Sequence, residues 1–107
     1  MQRVTIVRYT AKPDRADENE ALSRAVFAEL RATRPDAVAY ALFRDGADFL
    51  HLFINLKADD SEAVTGLPSF QAFSKDAADR YAAAPEVVRL GLELVESYGL
   101  AGALTTV

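Results

Sequence analysis

The chain has 107 residues, half of them hydrophobic and 26% charged, with a net charge of −4 and neither cysteine nor tryptophan. This composition is that of one soluble globular domain; it excludes disulfides, thiolate metal sites and cysteine nucleophiles, and it opposes a general affinity for nucleic acid, which needs clustered cations. No apolar run approaches the ~20 residues that span a bilayer, and the first residues enter a strand pattern rather than the apolar core of a signal peptide, so no membrane association and a cytoplasmic location are expected.

Residues 3–10 alternate Val4, Ile6 and Arg8 against Thr5, Val7 and Tyr9, a period of two rich in β-branched and aromatic types, which predicts a strand ended by Pro13. Asp17 and Glu20 have capping-box spacing, and Leu22, Val26 and Leu30 recur every four residues, predicting a helix from 17 to about 33 that Pro35 stops. A second strand is expected over 37–44, followed by the tight-turn sequence Asp45-Gly46-Ala47-Asp48. The third strand, 49–56, is the densest apolar stretch of the chain. One of its faces is Leu50, Leu52, Ile54 and Leu56; the other is Phe49, His51, Phe53 and Asn55, and it holds the chain's one histidine.

Residues 57–65, with Asp59, Asp60 and Glu62, read as a polar loop or short helical turn. Leu67-Pro68-Ser69 opens a second helix, with Phe70, Phe73, Ala77 and Arg80 or Tyr81 at helical spacing. Alternating Leu90, Leu92 and Leu94 predict a last strand over 89–98, and 99–107 is a tail without periodicity, which sets the domain at 1–98. The order β-α-β-β-α-β defines a ferredoxin-like α+β plan: a four-stranded antiparallel sheet with both helices on one face. The aliphatic face of the third strand is the expected core. The open face is then expected to carry Phe49, His51 and Phe53, a patch that calls for cover, so a homodimer through that sheet face is expected.

The segments Val7-Arg8-Tyr9-Thr10-Ala11-Lys12-Pro13, Ala16-Asp17-Glu18-Asn19-Glu20, Val26-Phe27-Ala28-Glu29-Leu30, Phe49-Leu50-His51 and Leu67-Pro68-Ser69-Phe70-Gln71-Ala72-Phe73 resemble a family of small bacterial proteins. That family lies within the dimeric α/β-barrel superfamily, alongside the antibiotic biosynthesis monooxygenases. The resemblance covers roughly residues 3 to 98. It implies a dimer whose two sheets form a barrel, and it points to enzymes that oxidise electron-rich aromatics with O2 and no cofactor, degrade haem, or isomerise and cleave small molecules. The chain departs from the characterised monooxygenases in lacking tryptophan, and it has no helix-borne histidine to ligate haem.

His51 is the side chain whose ordinary titration falls near neutrality, which makes it the candidate general base toward a phenol or enol, with Tyr40 as its catalytic phenol partner. A packed interface histidine bonded to Asn55, a tyrosine or a carbonyl is the plainer reading of the same residue. Tyr9, Arg8, Phe49, Phe53, Phe70 and Phe73 are the candidate contacts to a small hydrophobic ligand. For Phe70 and Phe73 ordinary core is the simpler role, and for Arg8 and Arg80 an ion pair with Glu93, Glu96 or Asp76. With one histidine and no cysteine, neither a metal site nor a cofactor is expected. Asn19 has no role assigned by its position. The sequence has no Gly-x-Ser-x-Gly elbow, phosphate loop or dinucleotide fingerprint.

Overall fold

The computed structural model describes residues 3–35, 38–55 and 62–98, and of residues 62 and 63 the backbone only. Four strands, β1 (Arg3–Thr10), β2 (Val38–Asp45), β3 (Asp48–Asn55) and β4 (Glu86–Gly91), form one sheet in the order β2-β3-β1-β4 with every pairing antiparallel. Helix α1 (Ala16–Thr33) links β1 to β2. A helical turn α2 (Glu62–Thr65), helix α3 (Pro68–Lys75) and a turn α4 (Ala77–Arg80) link β3 to β4. This is the ferredoxin-like plan expected from the element order. None of the described helices is long and apolar enough to cross a membrane.

The β2–β3 hairpin closes through Gly46 and Ala47. Gly46 has φ +61° and Ala47 does not share a positive φ, the pattern of a type II′ turn, in which glycine takes the first central position. Helix α1 follows a single 3₁₀ turn, Pro13–Arg15, and its N-cap is Arg15 rather than Asp17; no side chain caps it. Asp17 and Glu18 instead lie in the first turn, where they favour the positive end of the helix dipole. At the other end Arg34 turns left-handed (φ +48°) and its N–H closes on Leu30 O at 2.8 Å. Helix α3 lacks a local cap as well. Glu29 supplies one from α1: its carboxylate accepts from the Ser69 N–H at 2.9 Å and from the Ser69 hydroxyl at 2.5 Å, clamping the two helices.

The sheet register corrects the expected faces. Val7 pairs with His51, Tyr9 with Phe49 and Thr5 with Phe53, and this set looks toward the helices. His51 and Phe49 are buried beneath α1 and α3, not displayed on the open side. The aliphatic set Leu50, Leu52 and Ile54, expected to be core, lies with Val4, Ile6, Val88 and Leu90 on the open face. Helices cover a sheet with whichever side chains they can pack closely, and here the stacked rings of Tyr40, His51 and Phe53 form the floor they rest on.

The last strand is also corrected: it runs over Glu86–Gly91 and not 89–98. Its last residue, Gly91, pairs with Arg3. Leu92, Val95 and Tyr98, beyond the strand, are exposed. The single second helix expected over 67–81 is broken at Asp76 into α3 and α4. Residues 56–61, with Asp59 and Asp60, the side chain of Glu62, and the 99–107 tail lie outside what is described.

Candidate functional site

Beneath α1 and α3 a chain of buried polar groups runs through the apolar layer. β3 presents His51, β1 presents Tyr9 and β2 presents Tyr40, all on the helix side by register. The Tyr40 hydroxyl meets His51 Nδ1 at 2.5 Å and the Tyr9 hydroxyl meets Nε2 at 2.7 Å. From α1, Asn19 Nδ2 donates to the Tyr9 oxygen at 2.7 Å. From α4, Arg80 Nε donates to Asn19 Oδ1 at 3.0 Å, and Arg80 Nη2 donates to the Phe73 carbonyl at 2.6 Å. The order is Tyr40, His51, Tyr9, Asn19, Arg80.

Backbone bonds hold the far end in place. Lys12 N–H donates to Arg80 O at 2.7 Å and Ala82 N–H to Thr10 O at 2.8 Å, so the chain after α4 is laced to the end of β1. Tyr81 then stacks on Tyr9 with ring centroids 4.0 Å apart. Ser23, one turn after Asn19 on α1, turns its hydroxyl to the Asn19 carbonyl at 2.8 Å. With Ala16 and Val26 these small side chains form the buried stripe of α1, which lets the helix lie close on the aromatic floor.

Chemistry fixes the donor pattern. A guanidinium only donates, so the Asn19 oxygen faces Arg80 and its amide N–H faces Tyr9. Tyr9 accepts that bond, and its hydroxyl has two further side-chain partners, His51 Nε2 and the Tyr81 hydroxyl. Burial lowers the imidazole pKa to about 4, so at neutral pH the ring is uncharged: one nitrogen donates to a phenol and the other accepts from one. Burial pushes the Tyr9 phenol well above its ordinary value, with the Asn19 N–H acting in the opposite direction, and burial also raises Tyr40 and Tyr81. Both phenols and the imidazole are thus neutral.

Arg80 is the charged member. It is fully buried, lies 4.8 Å over the Phe73 ring, and has no carboxylate partner among the described residues. The expected ion pairs with Glu93, Glu96 or Asp76 are not formed; Asp76 offers Arg80 only its backbone carbonyl. Arg80 Nη1 is buried with no hydrogen-bond partner. An isolated buried cation is costly, and it makes the surroundings favourable to negative charge.

The structure thus gathers His51, Tyr40, Tyr9, Phe49, Phe53 and Phe73 into one cluster, with the Phe73 ring 5.6 Å from His51. Phe53 stacks on Tyr40 at 4.2 Å, and Phe70 packs beside Phe73. Arg8 is not brought there. It pairs with Leu50 and Glu86 on the open face, pointing away from His51. Tyr98 is fully exposed. Sequence reasoning assigned no role to Asn19 and no solitary burial to Arg80. The available signal was spacing: Phe73, Ala77 and Arg80 share a helical stripe, which sets an arginine on an apolar face.

A cavity of ≈ 140 Å³ adjoins the cluster, walled by Val7, Phe53, Val64 and Phe70. Val7 pairs directly with His51 and Phe53 lies two residues along β3, so cavity and network are neighbours.

No family model and no curated protein matches the chain. Solved structures do. Rv0793 from Mycobacterium tuberculosis superposes with a TM-score of 0.76 at 18% identity, over 91% of this chain and 100% of its own. A Caulobacter crescentus protein, solved as a candidate antibiotic biosynthesis monooxygenase, gives 0.73 at 21% identity over 86% and 91%. Another structure solved as an antibiotic biosynthesis monooxygenase gives 0.72 at 20% identity over 88% and 100%. The fold is that of the antibiotic biosynthesis monooxygenase-like proteins. The likeness to these neighbours is one of fold.

Proposed function

We propose that the protein is a cofactor-independent monooxygenase-like enzyme acting on a small hydrophobic substrate with an acidic C–H or O–H bond. The observation that carries this reading is a neutral His51 bonded at each ring nitrogen to a phenol, in a chain that ends on a buried arginine with no ion-pair partner among the described residues. A neutral imidazole accepts a proton. Tyr40, half-buried at the open end of the chain, contacts the substrate and passes its proton to His51 Nδ1 as it takes the substrate's. The Arg80 charge, transmitted through the Asn19 amide, favours the resulting anion.

For a methylene substrate the balance is as follows. Proton loss gives a carbanion; the carbanion passes one electron to dioxygen, and radical recombination forms the C–O bond of a peroxide anion. Reprotonation and loss of water, taking the second hydrogen of the methylene, leave a carbonyl. One oxygen atom enters the product and the other leaves in water, with dioxygen as the oxidant.

We also propose that two copies pair through the open sheet face, where Phe43 is 58% exposed and Val88 and Leu90 flank Ile6 and Val4, which pair on their other side with Leu52 and Ile54. One observation favours a second reading, a homodimeric ligand-holding module without turnover: both ring nitrogens of His51 are already occupied. Oxygen consumption with a panel of quinols and hydroxyaromatics decides. The enzyme reading expects turnover that His51→Phe abolishes and Tyr40→Phe lowers by about a hundredfold or more. Ligand binding without oxygen uptake by the wild type overturns it in favour of the module.

A further inference from the structure

The cavity walled by Val7 and Phe53 has a polar rim. Arg3 and Arg89 both border it, together with the buried amide of Asn55. The register explains how they meet. Arg3 pairs with Asn55 on one side and Gly91 on the other, while Thr5 pairs with Phe53 and Arg89. Arg3 and Arg89 are therefore diagonal neighbours on the helix side of adjacent strands, within reach of each other's long side chains. Gly91 leaves no side chain opposite Arg3. Among the described residues no carboxylate pairs with either guanidinium.

Two like charges on diagonal positions of one sheet face repel, and a chain with net charge −4 has carboxylates in surplus to offset them. Both guanidiniums border one apolar hollow. A planar donor fork suits a carboxylate, which it holds through paired N–H bonds. Behind the rim the walls are Phe53, Phe70, Val7 and Val64. A dry apolar cavity of about 150 Å³ accepts benzene, so ≈ 140 Å³ is room for one ring and not for a fused polycycle.

We infer that this cavity is a binding site for a single-ring (or equally small aliphatic) carboxylate, with Arg3 and Arg89 holding the carboxylate and Phe53 and Phe70 enclosing the apolar body. The inference rests on the proposed ligand site on this side of the sheet and narrows its substrate to a small anionic one. It separates anchoring from chemistry. Arg3 and Arg89 fix one end of the ligand at the rim, while the ring lies against Phe53, which stacks on the rings of Tyr40 and His51.

The test is calorimetric titration of the full chain with benzoate, with benzamide as its neutral counterpart and with inorganic sulfate as a bare anion, none of which needs turnover. Benzoate is expected to bind more tightly than either. Arg89→Gln is expected to weaken benzoate by about tenfold to a hundredfold and the double variant with Arg3→Gln further, with benzamide unchanged. Both side chains sit at the sheet margin, and thermal melting verifies that the variants stay folded. Equal binding of benzoate and benzamide, benzoate binding that survives both substitutions, or sulfate binding as tightly as benzoate each overturns the inference. A His51→Phe variant that binds benzoate normally separates the two readings: the anion site then stands even if no oxidation is found.

Discussion

Arg80 Nε donates to Asn19 Oδ1 across 61 residues of sequence, and this one bond decides which way the Asn19 amide points. Because the oxygen is taken by the guanidinium, the amide N–H is aimed at Tyr9, and Tyr9 in turn sits against His51. Position and polarity of the imidazole thus depend on α1 and α4 as much as on its own strand.

Asn19→Leu is expected to cost about 3 kcal/mol or more of unfolding free energy. It removes the oxygen that accepts from a fully buried guanidinium already short of one partner, and leaving a buried cation less satisfied is among the large single-residue losses. Asn19→Asp restores an acceptor for Arg80 and should recover most of that loss, while removing the N–H donated to Tyr9. Urea denaturation of the two variants checks the difference. Equal midpoints for both would show that the Asn19–Arg80 bond is not what holds this region.

Acidification should destabilise the protein through His51. An unfolded histidine titrates near 6.5 and the folded one near pH 4, so between these values the unfolded chain binds a proton that the folded chain refuses. Stability is therefore full above about pH 6.5 and falls as the pH drops toward 4, by up to about 3 kcal/mol. Urea midpoints across that window, compared with those of His51→Phe, isolate this contribution. The imidazole resonances in NMR should stay those of the neutral ring down to about pH 4. A midpoint near 6.5 would mean that the ring is open to water.

A charge on the open sheet face should separate the proposed pair of subunits. Leu52→Arg places a guanidinium among Ile6, Ala41 and the neighbouring aliphatics, where a self-complementary partner face would have to bury it. Sedimentation should report a dimer for the wild type and a monomer for the variant, with the helix-side network intact. A wild type that sediments as a monomer at all concentrations rejects the interface.

Arg34→Gly should stabilise the chain by about 0.5 kcal/mol. Arg34 holds φ +48° to end α1, a conformation that costs a side-chain-bearing residue about 1–2 kcal/mol and glycine little, against the entropy glycine adds to the unfolded state. Among the described residues its side chain forms no ion pair, so the comparison by thermal melting tests chiefly the backbone. A lower melting temperature in the variant would place the Arg34 side chain in a contact that outweighs the strain.

The order of elements was legible in the sequence because it depends on local rules. The alternation in Arg3–Thr10 gives a strand, the glycine of the Asp45–Asp48 turn gives the hairpin, and Arg34-Pro35 ends the first helix. That His51 is the chain's one histidine, with an ordinary titration near neutrality, needed no structure either. Which way that histidine faces did. Both sides of β3 are apolar, so a period of two divides the strand into two sets without saying which set the helices cover. That choice was made by packing: the stacked rings of Tyr40, His51 and Phe53 accept α1 and α3, and the leucines are left on the other side. The same holds for Asn19, Ser23 and Arg80. Polar residues on a helix read by default as surface, and these are buried because of what packs on them: Arg80 reaches Asn19 across 61 residues and Asn19 reaches Tyr9 on β1, a pairing that no local pattern encodes, while Ser23 closes on its own helix at the Asn19 carbonyl.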